Sequence, residues 1–196
     1  MQIILIRHGQ PAVELSGMAR GRDLSAIAKA YDASGIVDRP PPETMAELRH
    51  LNCMACSDLP RSVESAHALG FAGLPAADRL FREAALPHFA RGSIALPVTV
   101  WVSVYRLLWL AGFARNGKSY TAAKARAGQA ANRLIGLAKT HGNVVLVGHG
   151  LMNYLIAQQL RANGWQGPAK PGKRFWEYGV YECSGDSGGL REKVKR

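Results

Sequence analysis

The chain has few cysteines, no acid over its central stretch, and no long unbroken apolar run. Three cysteines in 196 residues exclude a small disulfide scaffold, and the odd count fits a reducing, cytoplasmic compartment. Cys53 and Cys56 are spaced C-x-x-C, but no second pair follows and Cys183 stands alone. Residues three apart on a strand point to opposite faces, so a shared metal is not expected there. The apolar run Ile3 to Ile6 is too short for the core of a secretory signal. The longest weakly charged stretch is Ile94 to Phe113, with Arg106 as its single charge. Pro97, Thr99, Ser103 and Tyr105 interrupt it, so a buried or lid-forming helix is expected over about 94–113 and no membrane span. Internal repeats and low-complexity tracts are absent from the sequence.

The missing acid has a direction. No Asp or Glu occurs between Glu83 and Glu177, while twelve Lys or Arg fall in that gap, and the formal net charge is +11. Solvated helix faces in a basic protein account for such a pattern, and so does an anionic partner. Aromatic-interleaved basic motifs and zinc-finger spacing are missing, which argues against specific nucleic-acid binding. What is present is an apolar fraction of 47%, enough for one globular domain with a sizeable core. That domain is expected over residues 1–182, with 183–196 a flexible basic tail.

Pattern then places the elements. Residues 2–6 (QIILI) and 143–147 (NVVLV) are apolar without alternation, as in fully buried strands of a parallel sheet. Cys53 to Ser57 is a further buried strand candidate, 78–82 a short one, and 174–182 a late edge strand. Helices are expected over Leu24–Tyr31 with Asp23 as cap, over Glu43–Leu51, from Pro60 to Leu69 with Asp58 as cap, and over Leu151–Arg161. The clearest helix is Ser119–Lys139, where Ala123, Ala127, Ala130, Leu134 and Leu137 form one stripe. Trp101, Tyr105, Leu108 and Trp109 share a helix face as core or lid packing. Strands alternating with helices imply a three-layer α/β/α sandwich with a mostly parallel sheet, which binds ligands outside the carboxyl ends of its strands.

Two strands end in histidine there: Arg7-His8-Gly9 after the first and Gly148-His149-Gly150 after the fourth. Phosphoryl transfer through histidine needs a neutral imidazole, cations around the equatorial oxygens and an acid for the leaving alkoxide. Arg7 and His8 sit together, and Gly9 allows close backbone approach. Arg61 lies at a helix start, where free N–H groups favour anions and its fork matches phosphate. Glu83 follows the short strand candidate, and His149 adds a donor.

With these motifs the sequence resembles the histidine phosphatase superfamily, the phosphoglycerate-mutase-like group, over most of the chain. The motifs that carry the resemblance are Ile6-Arg7-His8-Gly9-Gln10, Ser57 to Ala66 (SDLPRSVESA), Arg82-Glu83, and Val145 to Gly150 (VLVGHG). The resemblance implies His8 as the phosphorylated nucleophile and Glu83 as acid, then base. It implies Arg7, Arg61 and His149 around the phosphate, with Gly9 and Gln10 at the substrate. It also implies catalysis without metal or cofactor, on a small anionic phosphorylated substrate or a phosphorylated protein.

Rival readings are a phosphoglycerate-type mutase and a weakly catalytic phosphate-binding protein. The second is motivated by Gln10-Pro11-Ala12-Val13-Glu14 standing where many members carry E-T-x-x-N, and by Ala84 to Phe89. His50, His67, His88 and His141 lack supporting context, although His88 is placed to line the pocket. The stretch Ser184 to Gly189, which mimics a serine-protease nucleophile motif, is rejected. The chain alternates strands and helices, and only seven residues follow Gly189.

Overall fold

A computed structural model describes residues 1–48, 51, 53–71, 76–85, 87, 92–114 and 119–183. The expectations for His50, His88 and the tail beyond Cys183 lie outside these residues.

The apolar runs do form the sheet. Strands β1 (Gln2–Arg7), β3 (Met54–Ser57), β4 (Ala76–Asp78), β6 (Asn143–Gly148) and β7 (Tyr178–Glu182) are ordered β4-β3-β6-β1-β7. All pairings are parallel except that of β7 with β1, which closes one edge antiparallel. Ile3, Leu5, Ile6, Val144, Val145, Leu146 and Val147 are fully buried, as runs apolar on both faces require.

Helices cover both faces. Helices α5 (Tyr120–His141) and α6 (Gly150–Ala162) enclose the larger core with Ile3, Leu5 and Leu146. Its alanines (Ala123, Ala127, Ala130, Ala131 and Ala138) let α5 lie close to the sheet. Helices α2 (Pro42–Leu48) and α3 (Pro60–Ala68) cover the other face over Ile4, Ile6, Cys56 and Val147. Cys53 packs against the first core and Cys56 lies in the second, so the pair does face opposite sides of the sheet. Burial pushes the Cys56 thiol up to about 12.

A smaller module lies to one side. Strand β2 (Met18–Arg20) pairs antiparallel with β5 (Ala95–Pro97), between helices α1 (Leu24–Asp32) and α4 (Val98–Leu110). Ala19, Leu24, Val98, Trp101 and Tyr105 form its own core. Trp109, on the same face of α4, is buried in the main core against Tyr120, so α4 joins the two. At 13 residues α4 is much shorter than the apolar stretch that contains it, and no helix among the described residues is long and apolar enough to cross a membrane.

Three local expectations are corrected. The short strand ends earlier, at Asp78, and Arg79–Phe81 is a 3-10 turn, because Asp78 accepts the Leu80 N–H and closes the turn. Asp58 does not cap α3. Leu59 holds that position and the carboxylate binds Arg82 at 2.5 and 2.8 Å. Asp23 makes no side-chain cap to α1 and instead accepts the Arg20 N–H at 3.3 Å. In both cases a nearby donor outside the helix draws the carboxylate away.

Candidate active site

The carboxyl ends of β1, β3 and β6 converge because these strands are adjacent and parallel. His8 continues β1 by donating its N–H to the Gly148 carbonyl at 3.0 Å, which brings the two histidine loops together. The rings of His8 and His149 meet edge to face, with centroids 5.0 Å apart. His8, Arg61 and His149 are each at most 2% exposed.

Hydrogen bonding sets the His8 tautomer. Its Nδ1 lies 2.7 Å from the Gly9 carbonyl, which can only accept, so Nδ1 carries the proton. The lone pair is then on Nε2. Burial, reinforced by Arg61 and Arg7, lowers the His8 pKa to about 3. Burial likewise holds His149 well below the ordinary range, and His8 and the two arginines add to it. The Nε2 of His149 meets the Ser62 hydroxyl at 3.3 Å.

Each arginine is held by an aromatic ring and by backbone. Arg7 donates to the Lys173 carbonyl and lies 4.4 Å from the Phe175 ring centre. Arg61 donates to the Tyr31 carbonyl at 3.0 Å and to Asp32 at 3.2 Å, with its guanidinium 4.7 Å from the Tyr31 ring centre. Arg7 Nε, Arg61 Nε and His149 Nδ1 are buried without a hydrogen-bond partner among the described residues. Three unsatisfied polar atoms around one imidazole are costly unless a ligand engages them. An anion with several acceptor oxygens fits the two guanidinium donors, and it fits His149 when Nδ1 carries that ring's proton.

Glu83 stands at the start of α6. Its Oε1 accepts the N–H groups of Met152 and Ala84, each at 2.9 Å, and Oε2 accepts that of Leu151 at 3.2 Å. A carboxylate suits the positive end of a helix, and here it docks on the helix that follows His149. Its backbone carbonyl accepts from Arg126 at 3.1 Å. The preceding residue, Arg82, is pinned by Asp58. The Asp58 carboxyl is held below its usual range, chiefly by the hydrogen bond from Arg82.

The structure thus brings Arg7, His8, Arg61 and His149 together, with Glu83 at the base of α6. Gly9 is closely approached. A Cβ there would lie 2.4 Å from the Trp176 ring and 2.5 Å from Asp38. Gln10 has an exposed side chain, and its N–H is tied to Asp38 at 2.7 Å. Asp38 also accepts the Trp176 indole N–H at 2.9 Å, and Trp176 holds φ at 64°. Such a φ is rare outside glycine and costs roughly 1–3 kcal/mol. We expect Gly9→Ala to lower stability by about 1–3 kcal/mol, as overpacking against a rigid indole does. Thermal unfolding checks this, and an unchanged midpoint would mean Trp176 is free to withdraw.

Sequence reasoning missed several residues. Ser65 accepts the Gly9 N–H at 2.8 Å and donates to the Arg61 carbonyl at 2.6 Å, tying the His8 loop to α3. Asn153 donates to the Ile6 carbonyl at 3.0 Å and packs on Gly148, joining the ends of β1 and β6. Ser62 and Ser65 lay within the second motif without a role of their own. Asn153 follows the fourth motif at one helical turn, a signal that was available. Tyr31, Asp32, Asp38 and Phe175 had none.

The model of the histidine phosphatase superfamily, branch 1, matches residues 3–174, and the chain belongs to this superfamily. Solved structures share its fold at low sequence identity. A Mycobacterium tuberculosis open-reading-frame product, Rv3214, aligns with TM-score 0.62 and 16% identity over 94% of this chain and 92% of that one. Mycobacterial glucosyl-3-phosphoglycerate phosphatase in complex with VO3 aligns with TM-score 0.61 and 20% identity over 91% of each chain. A Thermus thermophilus protein aligns with TM-score 0.55 and 20% identity over 92% of each chain. No curated protein matches the sequence.

Proposed function

We propose that the protein is a metal-independent phosphatase that transfers a phosphoryl group from a phosphomonoester to His8 and then to water. The observation that carries this reading is the buried, neutral His8 with its Nε2 lone pair free, surrounded by the unpaired Nε atoms of Arg7 and Arg61. Membership of the superfamily supports phosphatase chemistry in general.

In the first step Nε2 attacks phosphorus as the bond to the ester oxygen breaks. Arg7, Arg61 and His149 stabilise the charge on the equatorial oxygens. Glu83 gives its proton to the departing oxygen. Its Oε2 accepts one N–H bond and its Oε1 two. In the second step water attacks phosphorus, Glu83 takes the water's proton, and the P–N bond breaks to release phosphate. Gly9 and Gln10 are assigned to the substrate side.

The substrate is read as a small anionic phosphorylated compound or a phosphorylated protein. A groove of about 880 Å³ is lined by Arg79, Arg82 and Arg126 together with Asp78, and Arg126 also donates to the Glu83 carbonyl. The catalytic domain is assigned to residues 1–182, with 183–196 a basic tail and the protein placed in the cytoplasm.

The test is a time course with para-nitrophenyl phosphate and a panel of phosphorylated metabolites in EDTA, with acid-labile, base-stable phosphate on the protein measured during turnover. Release of phosphate together with this label is expected. A protein that binds phosphate but turns over no compound would be the weak binder instead. Turnover that requires a bisphosphate would make it a mutase.

The pH profile follows from the His8 pKa. Neutral imidazole is the reactive form, and it persists down to about pH 3 in the free enzyme. Protonation of His8 therefore removes activity only as pH falls through that value. Once the substrate's own ionisation near pH 6 is corrected for, kcat/KM is expected to show no limb from His8 between pH 5 and 7. A limb near pH 6.5 that vanishes on replacing His8 would show the imidazole to be solvated.

A further inference from the structure

Successive side chains of an extended chain point to opposite sides, so Arg7, at the end of β1, and His8, which continues it, are set to diverge. One side chain touches both. The Phe175 ring centre lies 4.4 Å from the Arg7 guanidinium carbon and 5.7 Å from the centre of the His8 ring. Phe175 is half-buried and packs against the core beneath α2 and α3. The backbone around it is fixed at several points. Trp176 donates its N–H to the Arg7 carbonyl at 3.1 Å, and Arg7 donates its own to the Glu177 carbonyl at 3.0 Å. The Glu177 carboxylate accepts the N–H groups of Lys173 and Arg174 at 2.7 and 2.9 Å, and the Trp176 indole is tied to Asp38. The same segment supplies the Lys173 carbonyl that accepts from Arg7. Arg7 is therefore held by a ring face and a carbonyl, both uncharged, and no carboxylate among the described residues pairs with it. Arg61 differs, since Asp32 already shares its charge. A neutral grip fixes the direction of a cation and leaves its charge for an anion.

On the phosphatase reading above, we propose that Phe175 is a positioning residue, whose ring face holds the Arg7 guanidinium beside His8 for the oxygens of the transferring phosphoryl group. It acts through Arg7 and takes no part in bond making.

Phe175→Leu keeps most of the bulk against His8 and removes the π face. Phe175→Met does the same with a flexible chain and takes its place should the leucine variant fold poorly. The substitution is made in the wild type and in Arg7→Gln. All four proteins are titrated with orthovanadate, and kcat and KM on para-nitrophenyl phosphate are measured below their unfolding midpoints. Loss of a partly buried cation–π contact corresponds to about a 3- to 30-fold effect. We expect vanadate affinity and kcat/KM to fall by about that factor in Phe175→Leu. The fall should be less than about twofold where Arg7 is already Gln, because the contact is then gone. A packing role alone would cost the same in both backgrounds, which would overturn the proposal. Wild-type vanadate affinity and kcat/KM in Phe175→Leu would overturn it too. In either case the phosphatase reading stands if the wild type turns over substrate and His8→Ala does not. Should wild type turn over no substrate, that reading fails, and the vanadate titrations still decide the role of Phe175. A loss confined to proteins that keep Arg7 supports it, and equal losses or no loss overturn it.

Discussion

His8→Ala is expected to abolish turnover, by at least about four orders of magnitude, and to remove the phosphate label from the protein. The size follows from the geometry. His149 meets Ser62 through Nε2, and His8 alone combines a carbonyl-anchored Nδ1 with a free Nε2 at this strand end. Removing the ring also empties a buried volume beside Phe175 and His149, so some loss of stability is expected. His8→Asn is the companion variant, since it fills part of the space with a polar side chain that cannot be phosphorylated in this way. Both should bind inorganic phosphate through Arg7 and Arg61 while failing to turn over. Activity within tenfold of wild type in either variant would remove His8 from the mechanism.

Arg61 is expected to give the second largest effect. Its guanidinium is 1% exposed, is bonded to Tyr31 and Asp32, and keeps Nε unpaired. Arg61→Ala should lower kcat/KM by about 10²–10³-fold, the range seen when a preorganised charge donor is deleted. It also leaves the Tyr31 carbonyl without its partner. Asp32 matters less, because its side chain is 57% exposed and water can replace the arginine. Arg61→Lys separates charge from shape. An ammonium keeps the charge but cannot reach the Tyr31 carbonyl, Asp32 and phosphate at once with planar geometry. We expect it to recover only a part of the loss. Full recovery would mean that charge alone is used and that the fork geometry is incidental.

These expectations rest on residues that were legible before any coordinates. The runs at 2–6 and 143–147 read as buried strands because both faces of β1 and β6 are covered, and they became central neighbours in the sheet. The α5 stripe read correctly because alanine and leucine at helical spacing fit a single interface; Ala123, Ala127, Ala130 and Leu134 are buried. Ser119 caps that helix by accepting the Ala122 N–H. Where local reasoning failed, a long-range partner won. Asp58 sat where a cap belongs, yet Arg82, 24 positions later, offered a bidentate pair. The expected strand over 78–82 became β4 and a 3-10 turn because only Ala76 to Asp78 find register against β3.

By itself, then, the sequence determined the central strands β1, β3 and β6, the helices that cover them, and the strand-end positions of His8 and His149, since each depends on a pattern within a few residues, whereas β2 and β5 carried no such pattern. The tertiary structure alone decided how those ends are wired. Ser65 reaches Gly9 across 56 positions, Asn153 reaches Ile6 across 147, and Trp176 reaches Asp38 across 138. It also decided that the end of α1 presents Tyr31 to Arg61, through contacts 29 and 30 positions apart. No periodicity marks such pairs. A hydrogen bond between distant residues exists only once the sheet has set the register and the helices have packed, so its energy is assigned by the fold as a whole and not by any local run.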